Sequence, residues 1–367
     1  MTTSSIYLSK SAMGQRLNAF ERRRAAVLVG LGLLLILISL LSLGRGAVAI
    51  SPGQAGAILA KLLGIDLPWT YANEQRAVLL SIRAPRLLMG LLVGAALAVS
   101  GTAMQGLFRN PLADPALIGI SSGAALAVVA VIVLQTSVFA IPSQLLGRYL
   151  LPVAAIVGGF AVSWLVYRIA SSSDRVDVGS LLLAGIAINA LAGSATGLLV
   201  YVANDDQLRT LTFWSMGSLN GIAWADVTLA APFLLLNLLL LALLADAMNA
   251  LLLGEAEADH LGFPVERVKT AVIALVAFGV GTAVALTGVI GFVGLVVPHL
   301  LRLALGPDHR WLLPGSALLG ALLLLCADYL ARSLAAPAEV PIGIITGVLG
   351  SPFFLWLLFR QKIMGRS

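Results

Sequence analysis

The sequence predicts an all-α polytopic membrane protein with about ten transmembrane helices and both termini in the cytoplasm. Of its 367 residues, 59% are hydrophobic and only 11% are charged, and the mean hydropathy is +0.99. A soluble domain is nearer half apolar and a quarter charged. The chain also contains repeated apolar stretches of about 20 residues, the length that crosses a hydrocarbon core as a helix.

Ten apolar stretches are the predicted spans. They are 25–48, 86–106, 115–135, 150–170, 179–201, 226–247, 268–288, 291–305, 312–333 and 341–360. The eighth is short and follows closely spaced glycines at positions 288 and 291. No polar stretch is long enough for a second, soluble domain. We therefore divide the chain into a basic cytoplasmic N-terminal segment, 1–24, and a ten-helix domain, 25–367.

Lysines and arginines are distributed unequally between the two sides of these spans. The side that carries the N-terminus has 15 of them, and the opposite side has eight. Because cytoplasmic loops are enriched in Lys and Arg, this bias places both termini in the cytoplasm. The polar turn 109–115 then lies on the cytoplasmic side between spans two and three. Pro111 and Pro115 prevent one continuous helix there.

The chemistry-bearing residues exclude several classes of function. A single cysteine, Cys326, leaves no disulfide framework and no cysteine zinc site, and no metal site is predicted. His260, His299 and His309 fall toward the cytoplasmic side, and none forms the buried pair that would hold a haem cofactor. The sequence has no Gly-x-x-x-x-Gly-Lys-Ser/Thr motif, so it does not bind ATP through a P-loop. With no catalytic set visible, an enzyme is not predicted.

Charged residues inside the predicted spans are sparse. Asp328 in the ninth span is followed four residues later by Arg332, a spacing that brings two side chains together on one helix face. A proton or ion relay would need several such groups at depth, and no second one is evident. A local ion pair is therefore favoured, and a proton-coupled secondary transporter stays a remote alternative.

The fifth span carries a stripe of small and weakly polar residues. Gly185, Asn189, Gly193, Thr196 and Val200 share one face of a helix with 3.6 residues per turn. Small residues of this kind let helices approach closely. The same stripe would also form the wall of a translocation path that admits water and a bulky solute. The residues alone leave both interpretations open.

The longest predicted cytoplasmic connection, at about 250–267, joins spans six and seven. Its distinctive residues are Leu253, Gly254, Glu255, Asp259, His260, Leu261 and Gly262. The two glycines bracket a short acidic helix, and Pro264 ends it. One interpretation is an ordinary solvated loop. The other is a capped helix whose apolar residues fit a groove on a partner protein.

Five motifs occur in order along the chain. They are RAPRLLMGLLVGAALAVSGTAMQGLFRNPLADPALIGISSGA, LLLAGIAINAL, LGEAEADHLGF, TGVIGFVGLVVPHLLR and AEVPIGIITGVLGSPFFLWLL. Together they resemble the FecCD-type permease family of bacterial ABC importers, which take up iron-siderophores, haem and cobalamin. The resemblance covers nearly the whole chain from about residue 45 and says nothing about the first 24 residues.

The resemblance implies a homodimer in the bacterial inner membrane, with ten spans per subunit. It implies two copies of a separate cytoplasmic ATPase that binds the ATP, and a periplasmic substrate-binding protein; nucleic acid is not expected as a partner. The translocation path would lie between the subunits, lined by span five, and segment 250–267 would form the coupling helices that dock on the ATPase. Arg83 and Arg332 match positions at which such permeases meet glutamates of the binding protein.

The segment 207–219 is most similar to the haem-uptake branch of the family, so haem is the predicted substrate. Haem would be the cargo and not a bound cofactor. Phe213, Trp214 and Trp224 suit a flat amphiphile near the entrance, although an interfacial aromatic belt is the simpler explanation. A ferric siderophore or cobalamin is the alternative substrate within the same family.

Overall fold

The structure is a computed structural model that describes residues 3–46, 48–135, 138–172, 175–335 and 338–364. Within these residues the chain is almost entirely helical. The helices are α1 (Thr3–Gly44), α2 (Pro52–Leu62), α3 (Asn73–Val78), α4 (Ala84–Leu107), α5 (Ile120–Leu134), α6 (Ala140–Leu146), α7 (Leu150–Ala170), α8 (Val178–Tyr201), α9 (Asp205–Ser215), α10 (Trp224–Leu243), α11 (Ala245–Leu253), α12 (Glu255–His260), α13 (Val265–Thr287), α14 (Val293–Leu305), α15 (His309–Leu334) and α16 (Ile342–Met364). A π-helical turn, Leu79–Arg83, joins α3 to α4.

Seven helices in the described part of the chain are long and apolar enough to cross a membrane. They are Phe20–Gly44, Asn73–Leu107, Gln144–Ala170, Val178–Tyr201, Trp224–Leu243, Val265–Thr287 and His309–Leu334. The third, eighth and tenth predicted spans correspond to shorter apolar helices, Ile120–Leu134, Val293–Leu305 and Ile342–Trp356. The polytopic helical architecture is thus confirmed, whereas the number of ten crossings and the side of the termini stay predictions.

The third span begins later than the sequence predicted. The Asp114 side chain accepts a hydrogen bond from the Ala116 amide (2.8 Å) and caps a short 3-10 turn, Pro115–Ile118. Gly119 then adopts φ +83°, a left-handed conformation that interrupts a helix. Consequently α5 begins at Ile120 and not at 115.

Two further details differ from the predictions. The sixth span, predicted as 226–247, is divided at Leu244 into α10 and α11. The chain is also not purely α-helical, since β1 (Ser171–Ser172) and β2 (Arg175–Val176) form a small antiparallel hairpin between α7 and α8. Strands of two residues carry no periodic pattern, which is why the sequence did not indicate them.

The N-terminal segment and the first span form one helix. α1 runs without interruption through the predicted boundary at residue 24. At that boundary Arg24 donates to the Leu305 carbonyl (2.8 Å), lies 3.6 Å from the Asp308 carboxylate and covers the Phe20 ring. The boundary is therefore a change of composition and not an end of secondary structure.

Contacts between connecting segments fall into two groups at opposite ends of the helices. At one end Arg24 meets Asp308, and the Asn249 amide donates to the same carboxylate (2.7 Å). At the other end Arg148, just before α7, pairs with Asp226 at the start of α10. Segments that the charge count assigned to one side thus do meet one another, as alternating crossings require.

α4 lies at the centre of the helices and packs against α10, α13, α14 and α15. Two of these crossings bring backbones into direct contact. A Cβ added to Gly101 would lie 1.8 Å from the Gly294 carbonyl oxygen, and one added to Gly94 would lie 2.5 Å from that of Gly320. Small residues are what allow helices to cross this closely in a membrane.

α8 is packed quite differently from α4. Its contacts within the chain are mainly with α5 and α7, and only 11% of its most apolar window is buried. Large side chains such as Leu183, Leu191 and Leu198 stand exposed on it. A long apolar face of this helix is therefore open to lipid or to another chain.

Candidate functional site

Segment 250–267, the predicted coupling segment, contains a short helix, as its glycines predicted. Gly254 (φ +138°) precedes α12 and Gly262 (φ +88°) follows it, and both conformations favour glycine. Ala258 is buried and attaches the helix to the rest of the chain. Leu253 and Leu261 point outward, with 68% and 60% of each residue exposed. Two apolar side chains thus flank an exposed acidic helix.

The charged residues of α12 surround an open cleft. The cleft has a volume of about 540 Å³, and its lining includes Glu255, Asp259, Glu266 and Arg267. His260 lies on the exposed side of the same helix, where its Nδ1 is 2.6 Å from the Ala256 carbonyl. The cleft is open to the outside, and most of its lining side chains are charged.

The turn 109–115 adjoins this segment. An Arg109 nitrogen lies 3.9 Å from the Glu255 carboxylate at the start of α12. The turn holds itself together, because the Asn110 side chain accepts a hydrogen bond from the Leu112 amide (2.9 Å). Arg109 itself has φ +47°, a conformation that few residues other than glycine adopt. The turn is a fixed structural element beside segment 250–267.

The predicted path residues on α8 divide into two groups. Gly185 is buried under the turn that precedes α5, where an added Cβ would lie 1.8 Å from the Leu117 carbonyl oxygen. One helical turn on, Asn189 donates to the Ala116 carbonyl (3.1 Å) and accepts from the Ser122 hydroxyl. These two residues pack within the chain, which is the structural interpretation of the stripe.

The other three residues of the stripe face outward. Gly193 and Val200 are exposed, and Thr196 is half-buried. A Cβ added to Gly193 would meet no described atom within 4 Å. Only the second half of the stripe is therefore free to line a path or to meet another subunit.

The two predicted docking arginines are held within the chain. Arg83 is 7% exposed and donates to the carbonyls of Leu43 (2.6 Å) and Val48. Arg332 pairs with Asp328 (3.0 Å) and donates to the Ser42 hydroxyl (2.6 Å). Both side chains thus fix the end of α1 to its neighbours. Their contact with a binding protein stays a prediction.

Sequence reasoning missed most of a buried ion network around Asp328. The predicted i,i+4 pair with Arg332 is present, but Arg86 also meets Asp328 (2.8 Å). The two terminal nitrogens of Arg86 each lie 2.9 Å from an oxygen of Glu339. Arg86 and Glu339 both occur in the quoted motifs, yet their separation in sequence gives no local pattern. Asp328 thus joins α15 to α4, and Arg332 extends the network to the end of α1.

The aromatic residues proposed for the entrance are divided as well. Phe213 and Trp214 line a cavity of about 610 Å³ together with Glu339 and Asn220. Trp224 lies elsewhere, and its indole nitrogen donates to the Leu80 carbonyl (2.7 Å). The first pair therefore borders an open cavity, whereas Trp224 joins α10 to the π-helical turn before α4.

Comparison with known proteins decides the family. The FecCD transport family matches residues 34–360, which include every element described above except the first part of α1 and the last residues of α16. The chain belongs to the FecCD transport family. As a FecCD permease it is a multi-pass membrane subunit of an ABC transporter, and the resemblance carried by the five motifs is confirmed.

Among curated relatives of this FecCD permease is the hemin transport system permease protein HmuU of Yersinia pestis. It is 49% identical over 90% of this chain and 96% of its own. The cobalamin import system permease protein BtuC of Halobacterium salinarum is 44% identical over 86% of this chain and 82% of its own. The vitamin B12 import system permease protein BtuC of Salmonella paratyphi A is 39% identical over 93% of this chain and 97% of its own.

A solved structure of a metal-chelate type ABC transporter in an inward-facing conformation also resembles this FecCD permease. It has a TM-score of 0.79 and 34% identity, and the match covers 92% of this chain and 99% of that one. The helical arrangement described above is therefore that of a transporter permease. A family of this kind acts with an ATPase and a substrate-binding protein.

Proposed function

We propose that this chain is the transmembrane permease subunit of a type II ABC importer that moves haem across the bacterial inner membrane. The observation that supports haem most directly is the 49% identity to a hemin permease over nearly the whole length of both chains. Identity to the two cobalamin permeases is lower, at 44% and 39%. The pair Phe213 and Trp214 beside a cavity of about 610 Å³ is compatible with a flat aromatic cargo.

The energy for transport comes, in this proposal, from a separate cytoplasmic ATPase. The sequence carries no P-loop of its own. α12 is the proposed coupling helix, since the exposed residues Leu253 and Leu261 flank it beside an acidic cleft. Apolar side chains that enter a pocket on a partner contribute most of the affinity of such interfaces. Two copies of the ATPase would serve two copies of the permease.

The proposed path lies at a homodimer interface along α8. The helix is apolar and little buried in its own chain, which supports its burial against a second copy. Within the predicted stripe, Gly193, Thr196 and Val200 are the residues placed to line the path. Transport is then alternating access: ATP binding and hydrolysis move the coupling helices, and the spans reorient around the dimer axis. No chemical change of the cargo is needed.

Transport in proteoliposomes tests the substrate. The permease, its ATPase and its binding protein are reconstituted together, and ATP-dependent uptake of haem, a ferric siderophore and cobalamin is measured in parallel. We expect uptake of haem alone. Uptake of only a ferric siderophore or cobalamin would overturn the haem proposal and support the alternative. Uptake that needs no ATPase would support a secondary transporter instead.

Charged substitutions at α12 test the coupling proposal. Leu261→Asp is expected to reduce the amount of co-purified ATPase at least about tenfold, because docking would bury an unpaired carboxylate, which costs more than the roughly 1.4 kcal/mol that a tenfold change represents. The measurement is pull-down of the ATPase by tagged permease in detergent. Leu63→Asp is the matched control, since Leu63 is also an exposed leucine but follows α2 near the other end of the helices. Equal co-purification for Leu261→Asp and the control would refute the docking role.

A further inference from the structure

Lys269 near the start of α13 is a buried cation with three partners. The residue is 2% exposed. Its Nζ lies 2.7 Å from the Val176 carbonyl, 2.9 Å from a Glu255 oxygen and 2.8 Å from a Glu266 oxygen. An ammonium group has three hydrogens, so these acceptors satisfy all of them. No hydrogen of the Lys269 ammonium group is left to bond with solvent.

The three partners belong to different segments. Glu255 is the first residue of α12, the proposed coupling helix. Glu266 lies on α13 with Lys269, and its second oxygen accepts from the Val176 amide (2.8 Å). Val176 is therefore bound at both its carbonyl and its amide. The cluster joins α12 and α13 to the hairpin that precedes α8.

The hairpin is in turn fixed to α8. Asp177 follows Val176 directly and caps α8, because its carboxylate accepts a hydrogen bond from the Ser180 amide (2.6 Å). Hydrogen bonds from Ser180 hold the pKa of the Asp177 carboxyl below its usual range, so the cap is present at neutral pH. Val176, which belongs to the Lys269 cluster, is thus adjacent in sequence to Asp177, which caps the proposed path helix.

We propose that Lys269 is a positioning residue that transmits movement of α12 to α8. The inference rests on the proposed function, in which an ATPase moves α12. If α12 moved without Lys269, the buried ammonium would keep Glu266 but would lose one of its two counter-charges and one hydrogen bond that water cannot replace, which is costly. Lys269 therefore moves with Glu255. Since it also holds the Val176 backbone, a shift of α12 is passed to the start of α8.

A purely structural clamp would have a different signature from a transmitting residue. Loss of a clamp lowers assembly, ATP hydrolysis and transport together. Loss of a transmitting residue leaves assembly and hydrolysis in place and lowers the substrate moved for each ATP. Lys269→Met removes the charge at nearly constant length, and Lys269→Arg restores it. Lys61→Met is the matched control, because Lys61 forms an exposed pair with Asp66 near the opposite end of the helices.

The first measurement is substrate transported for each ATP hydrolysed in proteoliposomes that contain the full complex. We expect Lys269→Met to lower this ratio about tenfold, a change within the usual range of coupling between sites. Lys269→Arg should restore part of it, and Lys61→Met should leave it unchanged. A parallel fall of hydrolysis and transport in Lys269→Met, with the ratio unaltered, would overturn the proposal.

The second measurement needs no cargo. Cys326 is the single cysteine, so Cys326→Ser gives a background in which Ser194→Cys places one thiol on the exposed face of α8. Its maleimide labelling rate is compared with and without ATP and vanadate, and trapped nucleotide is quantified in the same sample. We expect nucleotide to change the rate in this background and not in Lys269→Met. An equal response in both, or none in the background, would overturn the proposal.

A second variant tests the proposal even if Lys269→Met folds poorly. Glu255→Gln removes only the carboxylate on α12, which is partly exposed, and leaves Lys269 its other two acceptors. A smaller loss of the labelling response is expected, and an unchanged response would contradict the proposal. Failure of haem uptake by the unaltered complex would overturn the proposed substrate only. The labelling result distinguishes failure of the Lys269 proposal from failure of the haem proposal, because labelling depends on nucleotide and not on cargo.

Discussion

Asp328→Asn is expected to lower the free energy of unfolding by about 3–5 kcal/mol, the usual cost of breaking a buried ion pair on one side. Asp328 is 1% exposed and bridges Arg86 and Arg332. An asparagine keeps the shape but leaves both guanidinium groups without their shared counter-charge. Arg86 retains Glu339, which sets the loss nearer the lower end of this range. The melting temperature of the purified permease in detergent measures the effect.

The control for Asp328→Asn is Asp66→Asn. Asp66 pairs with Lys61, but both side chains are mostly exposed. Exposed ion pairs contribute about 0–1 kcal/mol, so the melting temperature should hardly move. Equal melting temperatures for the two variants would show that the network around Asp328 does not stabilise the fold. A double variant with Arg332→Met is expected to lose less than the sum of the two single losses, because the residues share one interaction.

Gly101→Ala is expected to disrupt the crossing of α4 and α14. The added Cβ would lie 1.8 Å from the Gly294 carbonyl oxygen, so the two helices must separate by roughly 1.5 Å to regain a van der Waals distance. Overpacking of this kind costs about 1–3 kcal/mol, occasionally more, and Gly101 should lie at the upper end because the clash is with backbone. The yield of monodisperse protein and its melting temperature are the measurements.

Gly32→Ala is the control for this substitution. A Cβ on Gly32, within α1, would meet no described atom within 4 Å. Alanine is the better helix former by about 1 kcal/mol, so stability should stay level or rise slightly. If Gly101→Ala behaves like Gly32→Ala, the close approach of α4 and α14 is not a feature of the folded protein.

The length and spacing of the apolar stretches predicted most of the fold. Each predicted span has a helix at its position, because a stretch of apolar residues in a membrane must satisfy its own backbone. The two misplaced boundaries, at Gly119 and Leu244, depend on local backbone geometry that hydropathy does not report. The glycine brackets of α12 were readable, since Gly254 and Gly262 are needed for their positive φ values.

Long-range ion contacts were beyond a single sequence. Arg86 and Asp328 are separated by 242 residues, and nothing local to either identifies the other. Lys269 was counted only as a topological charge, although it lies buried among three acceptors. The sequence predicted only part of the arrangement of the stripe on α8. Helical periodicity placed its five residues on one face, but only the folded chain shows that Gly185 and Asn189 are covered by the turn before α5.

The open face of α8 also bears on how such a permease diversifies. Residues that make few contacts within the chain contribute little to its folding free energy, so substitutions there cost little stability. Mutation can therefore explore this face while α4 and its close crossings are held constant. In the proposed function, where this face lines the path, the permease can acquire a new cargo by changes to a surface that its own folding does not use.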